Sequence, residues 1–467
     1  MKKTVTILYI AVIIVMAVAT IVEHAYDYRI YDAWWFSALW ALLAVAATTE
    51  FLKQRVRRLS VIVLHFSFIV ILLGAFLTHI SSKSGSVHLR VDEPIAYYMD
   101  DEGTITPLPF ALRLDSFAIE YHPGTTAPAD YRSFLTLCDE STIRETVVSM
   151  NNITTFKGIR LYQAYYDEDG QGTVLSVSSD PWGIPVTYTG YVLLFIGLVW
   201  ILVDPKGSYR QLLRSPLLQK EQQPDSLLLK EGTIIGRILH ILLWISFAVL
   251  TYVEARRWII GGTIPMSNGY ETMLVMAWFI QLFTLLLQRR FRILLVFGFL
   301  LSSFILLASH VMGMDSEISP VAPILNSPLL GLHVSVIMMS YALLSLTFIC
   351  GVTALIAKSL HKNIKIINQL ALLSQLFLYP ALTTLGYGIF IGAIWANISW
   401  GTYWSWDPKE VWALITLMVY GAAVHPSSQP MFRKSTAYHV YITLAFLSLI
   451  ITYFGVNYIL GGMHSYA

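Results

Sequence analysis

The sequence predicts a polytopic α-helical membrane protein of about eleven transmembrane helices with one β-rich extracytoplasmic domain. Three observations carry this fold class. Of 467 residues 56% are hydrophobic and 13% charged, with a mean hydropathy of +0.61. Apolar runs long enough to cross a bilayer recur along the chain, and basic residues gather in alternate loops between them. The net charge of +2 makes no case for nucleic acid. Cys138 lies in a polar segment and Cys350 in an apolar run, so the two cysteines form neither a CxxC pair nor a disulfide framework. Any thiol chemistry therefore draws its thiols from a partner.

Residues 4–22 follow Lys2 and Lys3 and include Ala17-Val18-Ala19, a pattern that suits signal peptidase. They read as an uncleaved first span, because the apolar run continues past that site and the next run, 33–49, begins a short loop later. A third run, 59–78, follows Lys53, Arg55, Arg57 and Arg58, which puts that loop in the cytoplasm. Residues 80–187 break the pattern with charges, Pro, Gly and alternating sets such as Phe110/Leu112/Leu114 and Thr173/Leu175/Val177. They read as a β-rich domain on the outer side. A fourth span at 188–203 returns inward to a basic linker, 204–232, holding Lys206, Arg210, Arg214 and Lys220. This linker is the seam between a first unit of helices, 1–79 plus 188–203, and a second, 233–467. Apolar runs in the second unit cover 233–253, 271–288, 292–310, 333–357, 372–396, 411–425 and 437–458. The basic stretches 289–292, 358–365 and 433–434 all fall on inner loops. Loops 254–270 and 311–332, segment 396–410 and the C-terminal tail fall outside.

Within the last outer segment, Trp400-Gly401-Thr402-Tyr403-Trp404-Ser405-Trp406-Asp407-Pro408-Lys409-Glu410 combines broad amphipathic rings with charges too polar for hydrocarbon. It suits a flat ligand at the membrane boundary, although an ordinary aromatic belt would carry the same rings. Depth sorts the twelve histidines. His65 lies about 9 Å into the third span from its cytoplasmic end, and His425 closes the tenth span on that side. His333 opens the eighth span at the outer face, and His464 follows the last span there. Paired neutral imidazoles bind metal, and two on opposite sides of a porphyrin suit bis-His haem. His240 and His439 share the inner depth, and His24, His79 and His310 the outer, so depth alone leaves the partners open.

These residues also carry a resemblance. Trp400-Gly401-x-x-Trp404-x-Trp406-Asp407-x-Lys409-Glu410 resembles the WWD motif of the haem-handling superfamily at every defining position. Pro265 to Glu271 resembles the segment opening a core span in the CcsA branch; Gly331-Leu332-His333-Val334 and Gly461 to Tyr466 resemble its two external histidine segments. His65-Phe66-Ser67-Phe68 through Leu73-Gly74-Ala75, Gly158 to Gln163, and Asp180-Pro181 are similar to the CcsB (ResB-like) partner. Their order is that of the fused CcsBA cytochrome c synthetases of system II, with the seam as the fusion joint.

The resemblance implies a haem lyase in the bacterial inner membrane with its active site on the periplasmic side. Haem b would pass outward and be joined by thioether bonds, in the ferrous state, to the CxxCH cysteines of apocytochrome c. His65 and His425 would be the inner axial ligands, and His333 and His464 the outer ones. Trp400, Trp404 and Trp406 would wall the macrocycle. Asp407, Lys409 and Glu410 would orient propionates, helix ends or peptide, or simply pair at the rim. Separate thiol-reducing proteins would keep the substrate cysteines reduced. Two other readings fit the same histidine depths: a haem exporter without synthetase activity, and a b-type membrane electron-transfer cytochrome.

Overall fold

The computed structural model describes residues 2–26, 29–218, 234–426 and 429–460. Three helices, α1 (Lys2–Tyr26), α2 (Trp34–Lys53) and α3 (Leu59–Ser81), lead into eight strands. These are β1 (Lys83–Arg90), β2 (Ile95–Asp100), β3 (Ile105–Tyr121), β4 (Pro128–Cys138), β5 (Ile143–Ser149), β6 (Thr154–Phe156), β7 (Ile159–Tyr166) and β8 (Gly172–Ser179). Then come α4 (Gly183–Val203), a short α5 (Ser208–Leu213), α6 (Ile234–Gly261), α7 (Gly269–Leu287) and α8 (Ile293–Val311). The chain ends with α9 (Pro328–Ser359), α10 (Ile364–Ser399), α11 (Pro408–Ala423) and α12 (Ser435–Ile450), which loosens into a π-helical stretch over Ile451–Leu460.

Among the described residues, ten helices are long and apolar enough to cross a membrane. The sixteen-residue α11 brings the set to the expected eleven; at about 24 Å it is short for lipid, and its neighbours cover it. Helix ends run past the apolar runs where polar groups hold them. The fourth span starts at Gly183 rather than 188, because Asp180 Oδ1 accepts the Gly183 N–H at 2.8 Å. Likewise α10 starts at Ile364, where the Asn363 side chain accepts from Lys365 N.

The strands form one antiparallel sheet in the order β5-β4-β3-β2-β1-β8-β7-β6. Its outermost members meet again through the Ser149–Asn152 bridge and the Thr146 and Thr154 hydroxyls, 2.6 Å apart, so the sheet curls around its own core. The alternating residues read from the sequence fill that core: Phe110, Leu112, Leu114, Leu175 and Val177 are all buried.

Two other packings position the outer segment. The long α9 and α10 form the centre of the second helical unit, with Tyr341, Leu344, Phe377 and Leu385 in one core. Helices α3 and α4 form a close antiparallel pair in which Gly183, Gly190 and Gly197, spaced seven apart, meet Thr78, Ile71 and Leu64. A Cβ on Gly190 would stand 2.6 Å from the Ile71 side chain. Small residues are what let helices approach in lipid. Gly190→Leu is therefore expected to cost about 1–3 kcal/mol through overpacking, read as a lower thermal unfolding midpoint in detergent.

Candidate functional site

His65 and His425 come together at the end of the bundle away from the β-domain. Their ring centroids are 6.1 Å apart and their planes cross at 87°. Phe51 of α2 stacks on His65 at 4.9 Å. The His65 Nδ1–H donates to Val61 O at 2.8 Å, and the His425 Nδ1–H to Gly421 O at 2.7 Å. A carbonyl can only accept, so each bond fixes the tautomer whose Nε2 carries the lone pair. That is the arrangement in which imidazole ligates metal. Two imidazoles sharing one metal through bonds of about 2 Å stand with ring centres about 6 Å apart, so this pair fits. The other inner histidines are engaged elsewhere. His240 Nδ1 lies 2.8 Å from Gln288 Oε1, and the fully buried His439 donates through Nε2–H to Ile367 O.

On the β-domain side, the His333 Nδ1–H donates to Gly388 O of α10 at 2.7 Å, the same tautomer again. Gly392, one turn along α10, makes room for the ring: a Cβ there would lie 2.6 Å from its Cε1. His464 lies outside the described residues. The histidines sharing that depth, His24, His79 and His310, are all exposed.

The segment between α10 and α11 is irregular and held from all sides. Trp400 meets the buried Trp395 edge-on at 5.0 Å. Gly401, with φ +91°, turns the chain beneath Tyr162 of β7, whose ring would lie 2.9 Å from a Cβ there. The Tyr403 hydroxyl lies 2.8 Å from Thr78 Oγ1, and Thr187 Oγ1 donates to it at 3.3 Å. Burial raises the phenol pKa of Tyr403 and pushes that of Tyr162 up to about 12, so both remain neutral. Trp404 stands perpendicular to Trp406 at 5.8 Å. Trp406 sits in the left-handed region at φ +58°, stacked on Tyr31 at 4.9 Å and edge-on to Phe36 at 4.9 Å.

Two of the charged residues serve the segment itself. Asp407 is buried and caps α11, accepting the Lys409 N–H at 2.9 Å, with Pro408 at the first helical position. Glu410 Oε2 reaches back to the Ser405 N–H at 2.9 Å. Of the roles expected from the sequence, these bonds are the helix-end role; Lys409 is half-buried beside them.

Several partners have no signal in the sequence reading: Tyr31, Phe36, Thr78 and Thr187 all come from the first helical unit. A buried ion pair ties the neighbouring loops. Arg257 donates from Nε and Nη2 to Glu271 Oε1 at 3.1 and 2.9 Å and from Nη1 to Ser316 O at 2.8 Å. Glu271 Oε2 accepts from Ser267 N and Oγ at 2.8 and 2.7 Å.

Fold and site together define a polytopic membrane protein with paired imidazoles at one face and a tryptophan-rich, clamped segment at the other. Residues 266–464 match the Cytochrome C assembly protein family, and residues 52–178 the ResB-like family. The chain is 37% identical over 233 residues to Protein NrfI of Wolinella succinogenes, covering 49% of this chain and 26% of NrfI. It therefore spans about a quarter of that relative's length. It is 30% identical over 246 residues to the cytochrome c biogenesis protein CcsA of Guillardia theta, covering 46% and 81% of the two chains. With CcsA of Trieres chinensis the identity is 31% over 278 residues, covering 50% and 86%. This chain belongs to the CcsA family of cytochrome c biogenesis proteins and carries a ResB-like domain on the same polypeptide, the composition of a fused CcsBA chain.

The ion pair leads to an expected outcome. Glu271→Ala would strand a buried guanidinium and is expected to lower stability by about 3–5 kcal/mol, whereas Arg257→Met with Glu271→Leu should cost much less. Thermal unfolding of both variants in detergent checks this.

Proposed function

We propose that this protein moves haem b from the cytoplasmic face of the bacterial inner membrane to a periplasmic site and joins it covalently to apocytochrome c. The observation that carries the reading is the His65–His425 pair: two imidazoles with ring centroids 6.1 Å apart, each held through Nδ1–H by its own preceding-turn carbonyl, so that Nε2 is the nitrogen that would ligate. His333 repeats that tautomer beside the tryptophan segment. Membership of a cytochrome c biogenesis family supplies the substrate class.

In this reading haem is the cargo. His65 and His425 hold it at the inner face, and His333 with His464 at the outer. Each CxxCH thiol adds across one vinyl group: a carbon–sulfur bond forms, the thiol hydrogen passes to the neighbouring carbon, and nothing leaves. The addition is redox-neutral, so the protein's task is to hold thiol and vinyl in register, which supplies several kcal/mol. Trp400, Trp404 and Trp406 wall the macrocycle, with one face of Trp406 given to Tyr31. Lys409 orients propionate or peptide, while Asp407 and Glu410 keep the segment in shape. The histidine of CxxCH replaces His333 or His464 at a ferrous iron. Cys138 and Cys350 are both free thiols on separate elements, β4 and α9. The reduced substrate cysteines therefore come from separate thiol-reducing proteins.

His65→Ala and His425→Ala are each expected to cut copurifying haem and cytochrome yield at least tenfold, with imidazole in the medium restoring part of both. His333→Ala should shift the spectrum of the outer haem and reduce product while leaving the inner haem in place. Normal haem content and normal product in the first two variants would refute the delivery role.

A further inference from the structure

The β-domain reaches the outer site through one residue that touches both of its walls. Asn151 lies on the turn between β5 and β6 with φ +60°, a left-handed conformation that Asn tolerates better than most residues. Its Nδ2 donates to Ile324 O at 3.0 Å and Pro323 O at 3.3 Å, in the loop that leads into α9 and His333. Its Oδ1 accepts from Ser399 Oγ at 2.6 Å, one residue before Trp400. A single side-chain amide thus spans the stretch before the tryptophan segment and the stretch before the His333 helix.

Arg160 on β7 works beside it. Nη1 donates to Asn397 Oδ1 at 3.0 Å, and Nη2 to Ser178 Oγ at 3.2 Å and Gly401 O at 3.4 Å. Its guanidinium lies over the Tyr162 ring, 5.6 Å from the centroid, and that ring presses on Gly401. Asn397 and Ser399 are both 4% exposed, so their polar groups depend on these partners rather than on water. His122 adds a third tie, with Nε2 3.0 Å from Val321 O.

We propose that Asn151 is a positioning residue of the outer site, with Arg160 as its companion: it fixes the spacing between the tryptophan segment and the helix bearing His333. The β-domain is then a working wall of the site. This rests on the reading of residues 400–410 as the place where haem meets its acceptor, but the geometry of the tie does not require it.

Hydrogen–deuterium exchange on the full-length protein in detergent tests the inference without haem. Asn151→Gly keeps the left-handed turn and removes only the amide. Exchange at 397–407 and at 320–327 is expected to rise about tenfold, with the β3–β4 strands and the α3–α4 pair unchanged. Asn151→Asp keeps the acceptor for Ser399 and loses both donors, so it should protect 397–407 and loosen only 320–327. A residue that merely stabilised the domain would not give that split. Arg160→Lys, which loses the fork, should loosen 397–401 alone and serves as the second variant should Asn151→Gly not accumulate. Wild-type exchange at both segments in Asn151→Gly, or a uniform rise across the whole β-domain, overturns the proposal. If exchange splits as expected while the His333-dependent haem spectrum and product stay at wild-type level, positioning stands and the haem role of the segment falls.

Discussion

Irregular backbone at a membrane rim survives only where protein groups satisfy it, and the rest of this structure is arranged around that requirement for residues 400–407. The segment joins α10 to α11, carries left-handed residues at Gly401 and Trp406, and brings buried polar atoms with it. A left-handed tryptophan costs on the order of 1–3 kcal/mol and persists when its surroundings fix it. Here Tyr31 of the α1–α2 turn and Phe36 of α2 fix it, Thr78 and Thr187 hold Tyr403 from the α3–α4 pair, and the sheet closes over Gly401. Three separate parts of the N-terminal region converge on one loop of the stretch that matches the cytochrome c assembly family.

Two helices, α3 and α11, carry both ends of the proposed route. Helix α3 runs from His65 to Thr78, thirteen residues or about 20 Å, so one rigid element links an inner imidazole to the outer clamp. Helix α11 begins at the Asp407 cap of the outer segment and ends at the carbonyl that fixes His425. Geometry at one face is thereby tied to geometry at the other. The close α3–α4 contact through glycines keeps that tie stiff.

Much of the fold was legible because lipid leaves few options: spans must be apolar and long, and loops carry the charge. The strand alternation of Phe110, Leu112 and Leu114 was legible for the same reason, one face being buried. Depth put His65 and His425 in one layer but left His240 and His439 beside them. Only packing separates these, since it places His240 against Gln288 and buries His439 in α12. Asp407-Pro408-x-Glu410 is also a helix-start pattern, a cap followed by an N1 proline and an acidic third residue. Its structural use was therefore written in the sequence beside the chemical one. Asn151 carries no such sign: a turn-forming residue in a polar stretch says nothing about which distant loops its amide will bridge.

Covalent attachment, as proposed, is what distinguishes a synthetase from a protein that only carries haem across. Purified protein, reduced and loaded with haem, should convert a CxxCH peptide into a product whose haem resists acid–acetone extraction and shows as added mass on the peptide. Recovery of unmodified peptide, with haem released intact to solution, would contradict the account and leave export alone.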